Sequence, residues 1–434
     1  PYSRREQRGW YMYDWANSAF ASTVVTLFLG PYLTEMAKTA AGAAGRVYPL
    51  GIPVDPRSWW GYLISLSVVM QVVVLPIAGT IADFTAHKKR LLAIFAYTGA
   101  LATVTMFFLK GGAYLAGGVL FLVANLAFGA SIVVYNSFLP DIAAPEARDA
   151  VSSKGWGIGY LGGGLLLALN LALFSGAGAL GISTAMAVRI NLASAGVWWA
   201  LFSIIPLAAI RNRPPGRTRA SGDGLFRGFR EFAGTLRDMR LYPQTLRFLL
   251  AYLIYNDAVQ AVITLAAQFG SDDLKIPMSD LTLVILMVQF VAFFGSVAFA
   301  WVARWIGAKP AVVVSLLIWT GALVSIYVSV RNETQFFVVA AVVAIVLGGT
   351  QALSRSLFSQ MIPKGREAEY FSLYEVSDKG TSWLCPLLFG LALQFTGSYR
   401  LAILSLITFF IGGLAVLITV NVRCAVAEAG NETR

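Results

Sequence analysis

The sequence predicts an all-α membrane protein: twelve transmembrane helices in two pseudo-symmetric six-helix bundles. Three observations predict it. Of the 434 residues, 57% are hydrophobic and only 13% charged, whereas a soluble domain is about one quarter charged. The hydrophobic residues come in runs of about 20, long enough for a helix to cross a hydrocarbon core about 30 Å thick. One long polar break, Arg211–Arg240, leaves six such runs on either side. Alternating strand patterns are absent, which argues against a β-barrel.

Taken in order, the spans fall near 10–33, 58–82, 91–110, 113–139, 155–178, 188–210, 245–269, 280–304, 311–330, 335–361, 370–396 and 400–422. The first is too long for a cleaved signal and lacks a small-residue cleavage site, so it reads as a span. With both termini cytoplasmic the connections alternate, and 25 of the 33 lysines and arginines fall on the cytoplasmic side. That is the positive-inside asymmetry, and it accounts for a net charge of +11 without nucleic acid. The domain limits are 1–210, a cytoplasmic linker at 211–240, and 241–434. The linker opens with RNRPPGRTRASGDG, then places Leu225, Phe229, Phe232, Leu236 and Met239 at helical spacing between arginines. Such a helix lies on an anionic lipid surface; a calmodulin-target helix has the same pattern. Between their end residues, spans 3, 6, 9 and 12 lack charged side chains apart from Arg189 beside the start of span 6, and they read as the four peripheral helices.

Several function classes drop out. Cys385 and Cys424 fall at different depths and His87 is the single histidine, so no metal site and no histidine-based chemistry inside the membrane is expected. No G-x-x-x-x-G-K-[ST] loop cradles a phosphate, so no ATP cofactor is expected. A coupling ion, a proton carried by Asp14, Asp257 or Glu375, remains the available energy source.

Polar residues inside the spans are the candidate site. A carboxylate at mid-membrane costs roughly 2.5–3.5 kcal/mol, so it faces other helices or water. In the first span Asp14 and Asn17 share one side. In the seventh, Asn256 and Asp257 head a stripe with Gln260, Thr264 and Gln268 at i, i+3, i+7 and i+11 from Asp257. That face is expected to be internal, as a solute or ion pathway or as a hydrogen-bonded helix seam. Arg355 and Glu375 lie at similar depth in spans 10 and 11 and are expected to pair, unless Glu375 takes Lys379 at i+4. The halves also read as repeats: one offset aligns Asp14 with Asp257, another Asn136 with Arg355, and Val-Ser-Ser-Lys-Gly at 151–155 echoes Val-Ser-Asp-Lys-Gly at 376–380.

The loop after span 2 reads GTIADFTAHKKR, with Gly79, Asp83, Lys88, Lys89 and Arg90 as candidate gating residues. It resembles the signature loop of the major facilitator superfamily, departing from it at Phe84, where arginine is usual, and at Ala86, where glycine is usual. The resemblance implies that Asp83 latches the halves, accepting backbone N–H bonds at the start of span 11; plain anchoring by the basic cluster is the alternative. YDWANSAF in span 1, YNDAVQAV in span 7, and TQALSRSL with IPKGREAEYFSLY further resemble the vacuole-effluxer branch of that superfamily. Its eukaryotic members are autophagy-related permeases implicated in amino-acid release from the vacuole.

The resemblance implies a secondary active transporter that moves a small solute, an amino acid or related metabolite, outward by alternating access. It would work as a monomer among membrane lipids, in a bacterial inner membrane, or in a vacuolar membrane if the source is eukaryotic. An exporter of drugs, peptides or amphiphiles on the same fold, or a non-transporting sensor of transporter ancestry, are the other readings.

Overall fold

The computed structural model describes residues 2–84, 86–214, 234, 237–379 and 384–431. The first span is one continuous helical rod with a change of winding inside it. Helix α1 (Arg4–Ala19) passes through a π-helical stretch, Phe20–Phe28, into α2 (Leu29–Ala41). Hydroxyls compete for carbonyls where the winding changes: Ser18 donates to Asp14 O at 2.7 Å and Ser22 to Ser18 O at 2.9 Å. Such back-bonding bends helices, and π turns cluster at functional positions.

The chain continues through α3 (Trp59–Asp83), α4 (Lys88–Thr105), α5 (Tyr114–Asn136), the short α6 (Leu139–Ile142), α7 (Arg148–Ser175) and α8 (Thr184–Ala209). The second half holds α9 (Pro243–Asp272), α10 (Met278–Ile306), α11 (Ala308–Val328) and α12 (Glu333–Gln360). The eleventh span comprises α13 (Glu367–Lys379) and α14 (Leu384–Thr396), and the twelfth α15 (Tyr399–Ser405) and α16 (Ile407–Thr419); α17 (Val422–Glu428) follows. Among the described residues ten helices are long and apolar enough to cross a membrane. The interrupted first and eleventh spans complete twelve. The expected linker helix, with Leu225, Phe229, Phe232 and Leu236, lies outside the described residues; Met239, at its end, is buried in the second core cluster.

Each half has its own apolar core. In the first, Trp199 of α8 packs on Phe20 and Phe128 at ring distances of 5.5 and 5.9 Å. In the second, Trp319 of α11 stacks on Phe410 at 5.3 Å. Large apolar side chains such as Leu101, Leu201, Phe294 and Ile411 are exposed on the outside, as a lipid-facing surface requires. The expected peripheral helices pack within their own half, α4 against α5 and α8, and α11 against α12 and α16. In the sixth span Arg189, just inside its end, is buried with Nη1 3.4 Å from Phe107 O.

Where the halves meet, α7 lies against α10 and α12, and α3 and α5 lie against α13. Gly79 makes the α3–α13 approach possible, since a Cβ there would sit 2.5 Å from the Ala368 carbonyl oxygen. Helix α7 starts at Arg148 rather than near Gly155. Its first turns are polar and escape a hydropathy criterion, yet they are buried against the other half. Arg148 donates to Ser359 O at 2.8 Å, and Ser152 to Ala352 O at 2.7 Å.

Candidate functional site

The candidate site is built where the halves touch, at the end of the bundle that carries both chain termini. Its centre is Arg355 on α12, buried with about 3% of its surface exposed. A buried guanidinium needs an opposite charge and a full set of acceptors, and helices of the first half supply them. Both Nη atoms lie 3.3 Å from Asp14 Oδ2. Nε donates to Ser152 Oγ and Nη2 to Ser152 O, each at 2.9 Å, and Nη1 to Asn136 Oδ1 at 3.3 Å. Asp14 Oδ2 also accepts from the Tyr135 hydroxyl at 2.7 Å. The rings of Trp10, Trp156 and Tyr135 stand 4.7, 5.3 and 5.8 Å from the guanidinium carbon. Gly155 leaves the room: a Cβ there would come 2.6 Å from Asp14 Oδ2 and 3.0 Å from Arg355 Nη2.

This corrects the expected direct pairing of Arg355 with Glu375. The ion-pair partner of Arg355 is Asp14, 341 positions away in the chain. Glu375 joins through an amide relay, its Oε1 accepting from Asn136 Nδ2 at 3.0 Å, while Asn136 Oδ1 receives Arg355. The alternative partner, Lys379, has a side chain outside the described residues.

A second crossing lies where α3 ends and α13 begins. Asp83 closes α3 and accepts from the backbone N–H groups of Ala368 and Glu369, at 3.0 and 2.8 Å, at the start of α13. Helix N-termini hold unsatisfied donors and a partial positive charge, so a carboxylate is well placed there. Lys88 Nζ sits 3.2 Å from Asp83 and 3.9 Å from Glu367. The rest of the basic cluster does not join: the Lys89 backbone N–H bonds Asn212 at 3.1 Å, and Arg90 is exposed. Ser356 donates to Asp149 at 2.6 Å and adds a further crossing.

Asp257 sits elsewhere. It is buried on α9, and its Oδ2 accepts from Cys385 N at 3.1 Å, where α14 begins. Its Oδ1 has no hydrogen-bond partner among the described residues. Asn256 beside it is buried and Gln260 is half-buried. Further along the stripe Thr264 is exposed, and its hydroxyl returns to Gln260 O at 2.9 Å on its own helix. The side chain of Gln268 lies outside the described residues. Asn17, one turn beyond Asp14, is buried with Nδ2 unpartnered. Among the described residues Asp14 and Asp257 share no hydrogen-bond partner. Neither lines the cavity of about 1160 Å³ that opens on the termini face between Arg148, Lys309, Lys364 and Arg423.

Sequence reasoning missed Trp10, Ser152, Gly155 and Trp156 as site residues. The one signal that could have found them is the echo of residues 151–155 in 376–380, which lies across the start of α7.

Comparison with known proteins agrees with this architecture. A family model described as "Vacuole effluxer Atg22 like" matches residues 2–430. The chain is 30% identical to an uncharacterized MFS-type transporter, YxiO, of Bacillus subtilis (strain 168), over 95% of this chain and 94% of the relative. It is 24% identical to Autophagy-related protein 22-1 of Penicillium rubens, over 97% and 90%. Among solved structures it resembles the major facilitator transporter FucP in an outward conformation, with a TM-score of 0.71 at 11% identity, over 96% of this chain and 98% of that one. A bacterial homologue of the iron transporter ferroportin gives 0.68 at 14%, over 95% and 98%. With two six-span halves joined by polar crossings at one end, and a family model spanning nearly its whole length, the chain belongs to the Atg22-like vacuole effluxer family of the major facilitator superfamily.

Proposed function

We propose that this secondary transporter moves an amino acid or a related small metabolite out of the compartment that its termini face, by alternating access. The observation that carries the reading is the set of polar bonds that crosses between the halves at the termini end: Asp83 to α13, Arg355 to Asp14 and Ser152, and Arg148 to Ser359. Each bond joins one half to the other, so rocking of the halves breaks them as a set and opens that end. With the termini cytoplasmic, as the charge asymmetry supports, this conformation is closed to the cytoplasm.

Asp257 is the proposed solute or proton site of the second half. A carboxylate oxygen buried without a donor is costly, and a solute ammonium group or a transferred proton would relieve it. Asn256, Gln260 and Asn17 would add polar contacts, and Glu375 would follow Arg355 when the gate opens. No bound cofactor is required, and a monomer in lipid suffices. Counterflow in proteoliposomes, with labelled amino acids on one side and a panel of unlabelled ones on the other, tests the reading. Saturable exchange supports it. Flux of peptides or amphiphiles alone would move the assignment to an exporter, and binding without flux of any solute to a sensor.

A further inference from the structure

Arg355 is held by the other half of the protein as a ligand is held. All its polar partners belong to the first half: Asp14 on α1, Asn136 on α5 and Ser152 on α7. So do the three rings around it, Trp10, Tyr135 and Trp156. Every polar atom turned to the guanidinium is an acceptor: one carboxylate, one amide oxygen, one hydroxyl and one backbone carbonyl. The walls are preset within the first half. Trp10 stacks on Tyr135 at 4.4 Å and 14°, Trp10 Nε1 donates to Tyr135 O at 3.0 Å, and the Tyr135 hydroxyl fixes Asp14. None of these three contacts involves Arg355.

We propose that the first half carries a binding socket for an organic cation, a guanidinium or ammonium group, which Arg355 fills in this conformation and yields to solute when the halves part at this end. The inference rests on the transporter reading and adds the substrate class. When α12 withdraws, Asp14 is left among aromatic faces without its cation, and burial of an unpaired carboxylate is unfavourable. A bare metal ion is a poor replacement, since it needs several oxygen ligands. A cation with an apolar skin suits ring faces and matches the single negative charge. Arg355 and the solute then exclude one another, so occupancy of the socket favours the conformation open at the termini end.

The test uses the purified full chain with Arg355→Ala, which vacates the socket, and methylguanidinium chloride as the probe. The expected result is a saturable rise in melting temperature of about 2 °C in Arg355→Ala, at least fourfold smaller in the unaltered protein. Neutral methylurea and potassium chloride should give no such rise, and adding Trp156→Ala should weaken the apparent affinity about tenfold. Should Arg355→Ala fail to fold, Arg355→Gln keeps most of the length and some hydrogen bonding and is read the same way. A shift no larger than that of methylurea in the folded variant would mean the rings merely pack an arginine, and the socket would be withdrawn. The melting readout is independent of flux: absence of counterflow sinks the transporter reading, whereas absence of probe binding with counterflow intact sinks only the socket.

Discussion

Asp14 and Asp257 occupy matching places in the two halves by the repeat offset, and the fold treats them in opposite ways. Asp14 receives a guanidinium from the other half and a tyrosine hydroxyl from its own. Asp257 receives the backbone N–H of Cys385, with that residue's thiol beside it, and its Oδ1 has no hydrogen-bond partner among the described residues. The asymmetry follows from the repeat itself. The position matching Arg355 in the first half is Asn136, so the first half has no counterpart cation to send back to Asp257. Asp14 is therefore ion-paired across the halves and Asp257 has no ion pair among the described residues; on the function proposed above, that leaves Asp257 to cargo or to a proton while Asp14 is occupied by Arg355.

The comparison breaks most readily at Asp257. Asp257→Asn keeps size and removes charge, and flux in proteoliposomes is expected to fall at least about 100-fold, with melting temperature unchanged or raised, because a poorly satisfied buried charge has gone. Normal flux would make Asp257 a structural residue and erase the contrast. Asp14→Asn should show the reverse signature. It leaves Arg355 buried without its counter-charge, a loss of about 3 kcal/mol, so the melting temperature should drop clearly while flux falls only about tenfold. Equal melting temperatures for the two variants would show that the pairing carries no stability.

Asp83→Asn sharpens the comparison from the gate. The N–H bonds to α13 weaken, but no cargo group is touched, so the transport rate should fall about tenfold and the apparent solute affinity should move less than twofold. A large loss of binding in the folded protein would argue that Asp83 acts on the site and not as a latch. The smallest effect belongs to Thr264→Val. Its hydroxyl bonds only its own helix among the contacts described, and flux within twofold of the unaltered protein is expected; a tenfold loss would restore the stripe as a pathway.

How much was legible depended on the kind of contact. Asp83 was legible through the resemblance of its loop to the superfamily signature, and the contact is a local one: the turn at 361–366 precedes α13, whose first N–H groups lack intrahelical partners and suit a carboxylate. Arg355 was readable as a buried cation but not in its choice of partner. Depth alone put Glu375 in reach, and the side-chain geometry instead inserted Asn136 between them. The exposure of Thr264 was not legible, because a stripe at i, i+3, i+7 fixes one helix face and says nothing about how far the neighbouring helices extend to cover it.

The sequence by itself determined the twelve spans, the division after the sixth and the family, because hydrophobic length, charge placement and local motifs are properties of short segments. Only the tertiary structure decided which acid meets which cation. That choice is made by rigid-body docking of two helical bundles, between side chains 341 positions apart, and it rests on close approach at Gly79, where a Cβ would meet the backbone of the other half, and on the room Gly155 leaves for Asp14 and Arg355. No periodicity within a helix encodes the angle at which two bundles lean together. The aromatic walls, contributed by three helices of the first half, receive Arg355 only once that angle is set.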